Sequence, residues 1–62
     1  MLVCVTDPNG EDLLVNPANV LFVETSGHEH CEIVFWVHEK DAPISRRVRG
    51  TLDGIERRLR GE

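Results

Sequence analysis

The sequence predicts a mostly β (α+β) fold: a curled antiparallel five-stranded sheet, or a small open barrel, with one C-terminal helix. Three observations predict it. Short apolar runs rich in β-branched residues recur between turn signals over residues 2–49. The segment 32–38 alternates with the period of two that a strand imposes. Only the last stretch has helical spacing, with Leu52, Ile55 and Leu59 on one stripe behind the capping residue Thr51. The connections are short and there is no internal repeat or linker, so residues 1–62 read as one small β-rich domain.

Leu2 to Thr6 reads as the first strand. It stops at Asp7-Pro8-Asn9-Gly10, where proline fixes φ and Asn-Gly accepts positive φ, which predicts a hairpin turn and a returning strand over Leu13 to Val15. Asn16-Pro17 then predicts one helical turn, with asparagine as N-cap and proline in the first position. Val20 to Thr25 is the third strand, followed by a polar loop to His30 around Gly27.

Glu32 to His38 is the fourth strand, with Ile33, Phe35 and Val37 on one face and Val34 and Trp36 on the other. Large apolar groups on both faces mean either that the strand is covered twice, burying the only tryptophan, or that Val34 and Trp36 meet a partner. Lys40 to Pro43 reads as a turn. Ile44 to Arg49 is the fifth strand, with Ser45, Arg47 and Arg49 on its polar, cationic side. In the helix, Asp53 sits near the positive N-terminal end, Glu56 and Arg60 form an i,i+4 pair, and Gly61 is the stop. Gly54 costs about 1 kcal/mol relative to alanine, which implies close approach to the sheet or a frayed helix.

A chain of this length removes only roughly 60% of its unfolded surface from water. Its core is therefore thin, and a stability of only about 3–5 kcal/mol makes self-association, most simply a homodimer, the expected state. The formal charge is −4, which argues against non-specific coating of nucleic acid. That charge is unevenly placed. Residues 1–39 hold seven acids and no Lys or Arg, while residues 40–62 hold all seven basic side chains and four acids, giving −7 and +3. Either the two parts neutralise each other, in the fold or across a dimer, or the basic part faces an acidic partner. No apolar run is long enough to cross a membrane and the N-terminus has no secretory pattern, so the expectation is a cytoplasmic protein with Cys4 and Cys31 as thiols.

His28-Glu29-His30-Cys31, with His38 beyond, holds the ligand types zinc prefers. An extended segment from 31 to 38 carries His38 more than about 20 Å away, so no single site forms and no metal or other cofactor is expected. Cys31 beside His30, or Ser26 near His28, lacks a third orienting group in a closed pocket, and no enzymatic activity is expected. Arg47 and Arg49 share a strand face, and Arg57, Arg58 and Arg60 crowd one side of the helix. They are either a solvated surface or contacts for phosphates or an acidic protein surface.

Two stretches carry a family resemblance. Val15-Asn16-Pro17-Ala18-Asn19-Val20-Leu21-Phe22-Val23-Glu24, followed by Val48-Arg49-Gly50-Thr51-Leu52-Asp53-Gly54-Ile55-Glu56-Arg57-Arg58-Leu59, resembles the LytTR family of bacterial DNA-binding domains. Asn9-Gly10 through Glu24 also looks like the small flagellar FlbD family. The resemblance implies a small bacterial β module in transcriptional regulation or motility. It also implies that the loop after Glu24 reaches DNA, with His28 and His30 in contact positions. The LytTR family's second basic segment, R-x-H-R-S, has no counterpart in these residues, and a dimer would have to supply that surface.

The expected function is thus a non-enzymatic regulatory or adaptor module. It would bind itself or another protein through Val34 and Trp36 and the arginine-rich end (Arg47, Arg49, Arg57, Arg58). The alternative is a dimeric LytTR-like regulator contacting nucleic acid through His28, His30, Arg47 and Arg49.

Overall fold

The first turn is closed by its own leading side chain. The Oδ1 of Asp7 accepts hydrogen bonds from the backbone N–H groups of Asn9 and Glu11, each at 2.9 Å, and the Gly10 N–H donates to the Asp7 carbonyl at 3.0 Å. This closed turn sets the register of the hairpin beside it. The computed structural model describes residues 1–61, in the order β1 (Val3–Thr6), β2 (Asp12–Val15), a single 3-10 turn (Pro17–Asn19), β3 (Val20–Thr25), β4 (His30–Val37), β5 (Ala42–Arg49) and α1 (Leu52–Leu59).

The strands do not make one sheet. β1 and β2 form a two-stranded antiparallel sheet, and β3, β4 and β5 form a three-stranded one in that order. The predicted single five-stranded sheet is therefore divided, and the two parts do not close into a barrel. The division follows from the link after β2. The Asn16 side chain caps a helical turn, accepting from the Ala18 N–H at 3.0 Å, and Pro17 fixes the first position. A chain that leaves β2 through a helical turn is redirected instead of folding back, so β3 pairs with β4. β1 runs beside β5 without a ladder between them.

The core lies between the hairpin, the inner face of the larger sheet and the helix. Val5, Val15, Cys31, Ile33, Val48 and Ile55 form its buried cluster, with Leu13, Val20, Val23, Phe35 and Leu59 packed around it. The helical stripe behaves as its spacing predicts at Ile55 and Leu59, whereas Leu52 stays 44% exposed.

Thr51 caps the helix by accepting from the Gly54 N–H at 3.1 Å. A Cβ at Gly54 would stand 3.2 Å from that hydroxyl, so the cap, not the sheet, is what Gly54 approaches. Gly61 follows the last turn with φ +85°. The turn between β4 and β5 occupies 38–41, earlier than the sequence suggests, because Pro43 lies within β5 opposite Trp36. Proline is tolerated there because β5 is an edge strand. Among the described residues no helix is long and apolar enough to cross a membrane.

Candidate functional site

Residues directly opposite in an antiparallel ladder share a face. The ladders of the larger sheet therefore define its outer face row by row. Phe22 stands against Val34 and Ser45, Glu24 against Glu32 and Arg47, Trp36 against Pro43, and His30 against Arg49. None of these side chains belongs to the core cluster, which draws on the alternate positions Val23, Cys31, Ile33, Phe35 and Val48. The outer face is apolar at one end and charged at the other.

The apolar end consists of Phe22, 54% exposed, with the half-buried Val34 and Trp36. Trp36 is thus not enclosed in the core, the arrangement that covering the strand on both faces would have required. Next to it Trp36 and Phe35 border an open groove of about 340 Å³ shared with Leu2 and Leu14. Both leucines are exposed, so the apolar surface continues onto the hairpin. Alternation in the sequence does not mark out Phe22, Leu2 or Leu14. For Phe22 the signal was present: Leu21-Phe22-Val23 is an unbroken apolar run, and only the ladder decides which member faces out.

The charged end is built differently. The tight loop after β3 is closed by the Ser26 N–H donating to the His30 carbonyl at 2.9 Å, with Gly27 and Glu29 at positive φ. His30 Nδ1 donates to the His28 carbonyl at 2.9 Å. The structure brings His28, His30, Arg47 and Arg49 to this one end of the sheet, while Arg57 and Arg58 lie on the helix, on the inner side.

Three of the arginines are tied to the backbone. Arg47 Nη2 donates to the Ser26 carbonyl at 3.3 Å, Arg49 Nη2 to the Pro8 carbonyl at 2.8 Å, and Arg58 Nη1 to the Cys4 carbonyl at 3.1 Å. They join the loop, the hairpin turn and β1 to the rest of the fold. Arg57 pairs with Asp53 at 3.5 Å and Arg60 with Glu56 at 2.8 Å, both along the helix. Among the described residues these are the ion pairs, so the acidic and basic parts of the chain do not neutralise each other by direct pairing. Exposed pairs of this kind add at most about 1 kcal/mol each.

Cys31 and the histidines point apart. The Cys31 thiol is buried on the inner face and donates to the Gly50 carbonyl at 3.3 Å, while His30 is on the outer face. Among the described residues no three His, Cys, Asp or Glu side chains gather as a metal site. Burial pushes the Cys31 thiol above its ordinary pKa. The folded state then holds that proton more tightly than the unfolded chain, and stability falls as pH rises past the ordinary thiol range, about 8.5.

A titration with a thiol reagent in native buffer is expected to modify Cys4, which is exposed, quickly and Cys31 only on unfolding. Equal rates for the two would contradict this packing.

No protein-family model, curated protein or solved structure matches the chain.

Proposed function

We propose that the protein is a non-enzymatic binding module of regulatory or adaptor type that docks a protein partner on the outer face of β3, β4 and β5. The observation that carries this reading is the apolar end of that face. Phe22, Val34 and Trp36 are contributed by two neighbouring strands, lie outside the core cluster and continue onto an apolar groove. A half-exposed aromatic pair on a rigid sheet, rimmed by Glu24, Glu32 and Arg47, has the composition of an interface centre with a polar border. Groups with acid–base or nucleophilic chemistry are kept apart, since the Cys31 thiol faces the core and His30 the opposite side. On the sequence grounds above, the reading is for a cytoplasmic protein.

The resemblance to the FlbD and LytTR families fits a regulatory role. The nucleic-acid version has less support, because Arg47 and Arg49 spend hydrogen bonds on the carbonyls of Ser26 and Pro8.

The test compares the wild type with the Val34→Ser/Trp36→Ser variant as baits, followed by titration of any protein retained. Loss of an aromatic anchor is worth about 2 kcal/mol, so the variant is expected to bind roughly 30-fold more weakly. Equal affinity for both baits removes the docking face. Retention of duplex DNA at about 50 mM salt, weakening steeply with added salt, would replace this reading with the nucleic-acid one.

A further inference from the structure

β3 pairs with β4 on one side and, among the described residues, with no strand on the other. The bond from the Ser26 N–H to the His30 carbonyl fixes the phase of the β3–β4 ladder. Because antiparallel ladders alternate hydrogen-bonded and non-hydrogen-bonded pairs, stepping back from Ser26 turns the backbone groups of Glu24 and Phe22 toward β4. Those of Val23 and Thr25 then point out of the sheet. The strand, VLFVET, carries one charge and none of the lysines or prolines that blunt edges. The far edge, β5, is guarded by Pro43, three arginines and the adjacent β1.

A groove runs beside the open edge. It has a volume of about 500 Å³ and lies between β3 and α1, with Val20, Val23, Leu52 and Leu59 as apolar lining and Glu56 and Arg60 among its polar residues. Leu21 and Phe22 on the strand, and Leu52 on the helix, are all substantially exposed.

We propose that this edge joins the same edge of a second copy of the chain, antiparallel about a two-fold axis at Val23. The result is a continuous six-stranded sheet with both helices on one side and both outer faces on the other. A second copy is the occupant because the edge is complementary to itself. Centring on Val23 sets its outward N–H and C=O against the same groups of the second copy, as an isologous contact requires.

That register also opposes Phe22 to Glu24 of the other copy and keeps the two Glu24 carboxylates from meeting. Val23 against Val23 and Phe22 against Glu24 lie in the regular part of the strand, while Thr25 comes opposite Leu21 of the other copy, at the irregularity between Val20 and Phe22. The two grooves then open toward each other across the axis, so that Leu52 and Leu59 of each copy enclose the paired valines. The inference goes beyond docking on the outer face and leaves that face free, with two Phe22–Val34–Trp36 patches side by side.

The test is the solution mass by light scattering over a concentration series. The wild type is expected at twice the 7.0 kDa of the chain. Thr25→Pro removes an outward N–H without touching the β4 ladder and is expected at the single-chain mass with its circular dichroism retained. Thr25→Lys puts an ammonium group into the same seam, is compatible with the exposed site, and is expected to be monomeric as well. A wild type at 7.0 kDa throughout, or a dimer that both Thr25 variants leave intact, overturns the inference. Val34→Ser/Trp36→Ser is expected to remain dimeric. Should that variant alone fall apart, the two-fold contact lies on the outer face, and the edge proposal fails while the docking face stands.

Discussion

Ile33→Ala is expected to remove most of the protein's stability at 25 °C. Ile33 is 1% exposed in the middle of the central strand, between Val23 on β3 and the start of the cationic run on β5, and the hairpin and helix both close over its face. Truncating a buried isoleucine costs about 2–5 kcal/mol through lost transfer energy and the cavity left behind. A domain of this size has only about 3–5 kcal/mol to lose. No neighbouring element can collapse into the space, because the strands on both sides are held by their ladders. Urea titration followed by circular dichroism measures the effect. A shift under about 1 kcal/mol with an unchanged slope would mean that the core is not organised around β4.

Gly50→Ala is expected to be the second most damaging single change. Gly50 joins β5 to the helix with φ +129°, a conformation in which an L side chain is strained. A Cβ there would stand 3.2 Å from Cδ1 and 3.4 Å from Cγ1 of Ile55, which is itself buried in the core. The same residue donates its N–H to the Glu29 carbonyl at 2.8 Å and accepts from the Cys31 thiol, so the backbone cannot move to relieve the clash without losing both. Strain of this kind costs about 1–3 kcal/mol before the displacement of Ile55 is added.

Gly54→Ala provides the contrast. There the gain in helix propensity, about 1 kcal/mol, is set against crowding of the Thr51 cap, and the net change is expected to be small. Thermal unfolding of the two variants side by side separates them. Equal midpoints would contradict the role given to Gly50.

Local signals carried most of the fold. The Asp-Pro-Asn-Gly turn, the capped turn at Asn16-Pro17, β3 over Val20–Thr25 and the Thr51 cap are all set by residues close in sequence, and all were legible. Two strand ends were not. β4 begins at His30 although His-Glu-His reads as loop, because the left-handed conformation at Glu29 lets the turn close in four residues and frees Cys31 to pair with Val48. β5 begins at Ala42 because an edge position removes the usual objection to proline. The partition into two sheets was beyond local reading, since it depends on where the chain goes after the 3-10 turn.

The candidate surface divides the same way. Alternation placed Val34 and Trp36 together on one face, and the ladders agree. What alternation could not supply was the company they keep. Phe22 joins them through pairing with Val34, and Arg57 and Arg58 leave them for the inner side of the molecule with the helix. The arginine contacts were equally hidden. Arg49 reaches Pro8 and Arg58 reaches Cys4 across most of the chain, and composition distinguishes neither from a solvated cation.

The outer face can be interrogated before any partner is known, because the chain holds one tryptophan and no tyrosine, so its near-ultraviolet fluorescence reports Trp36. The decisive measurement is the emission maximum and acrylamide quenching of the folded protein against the urea-unfolded chain. A half-exposed Trp36 on an open apolar face predicts quenching at a substantial fraction of the unfolded rate and an emission only partly shifted to the blue. A strongly blue-shifted, unquenchable tryptophan would place Trp36 inside the core and leave the proposed docking face without its centre.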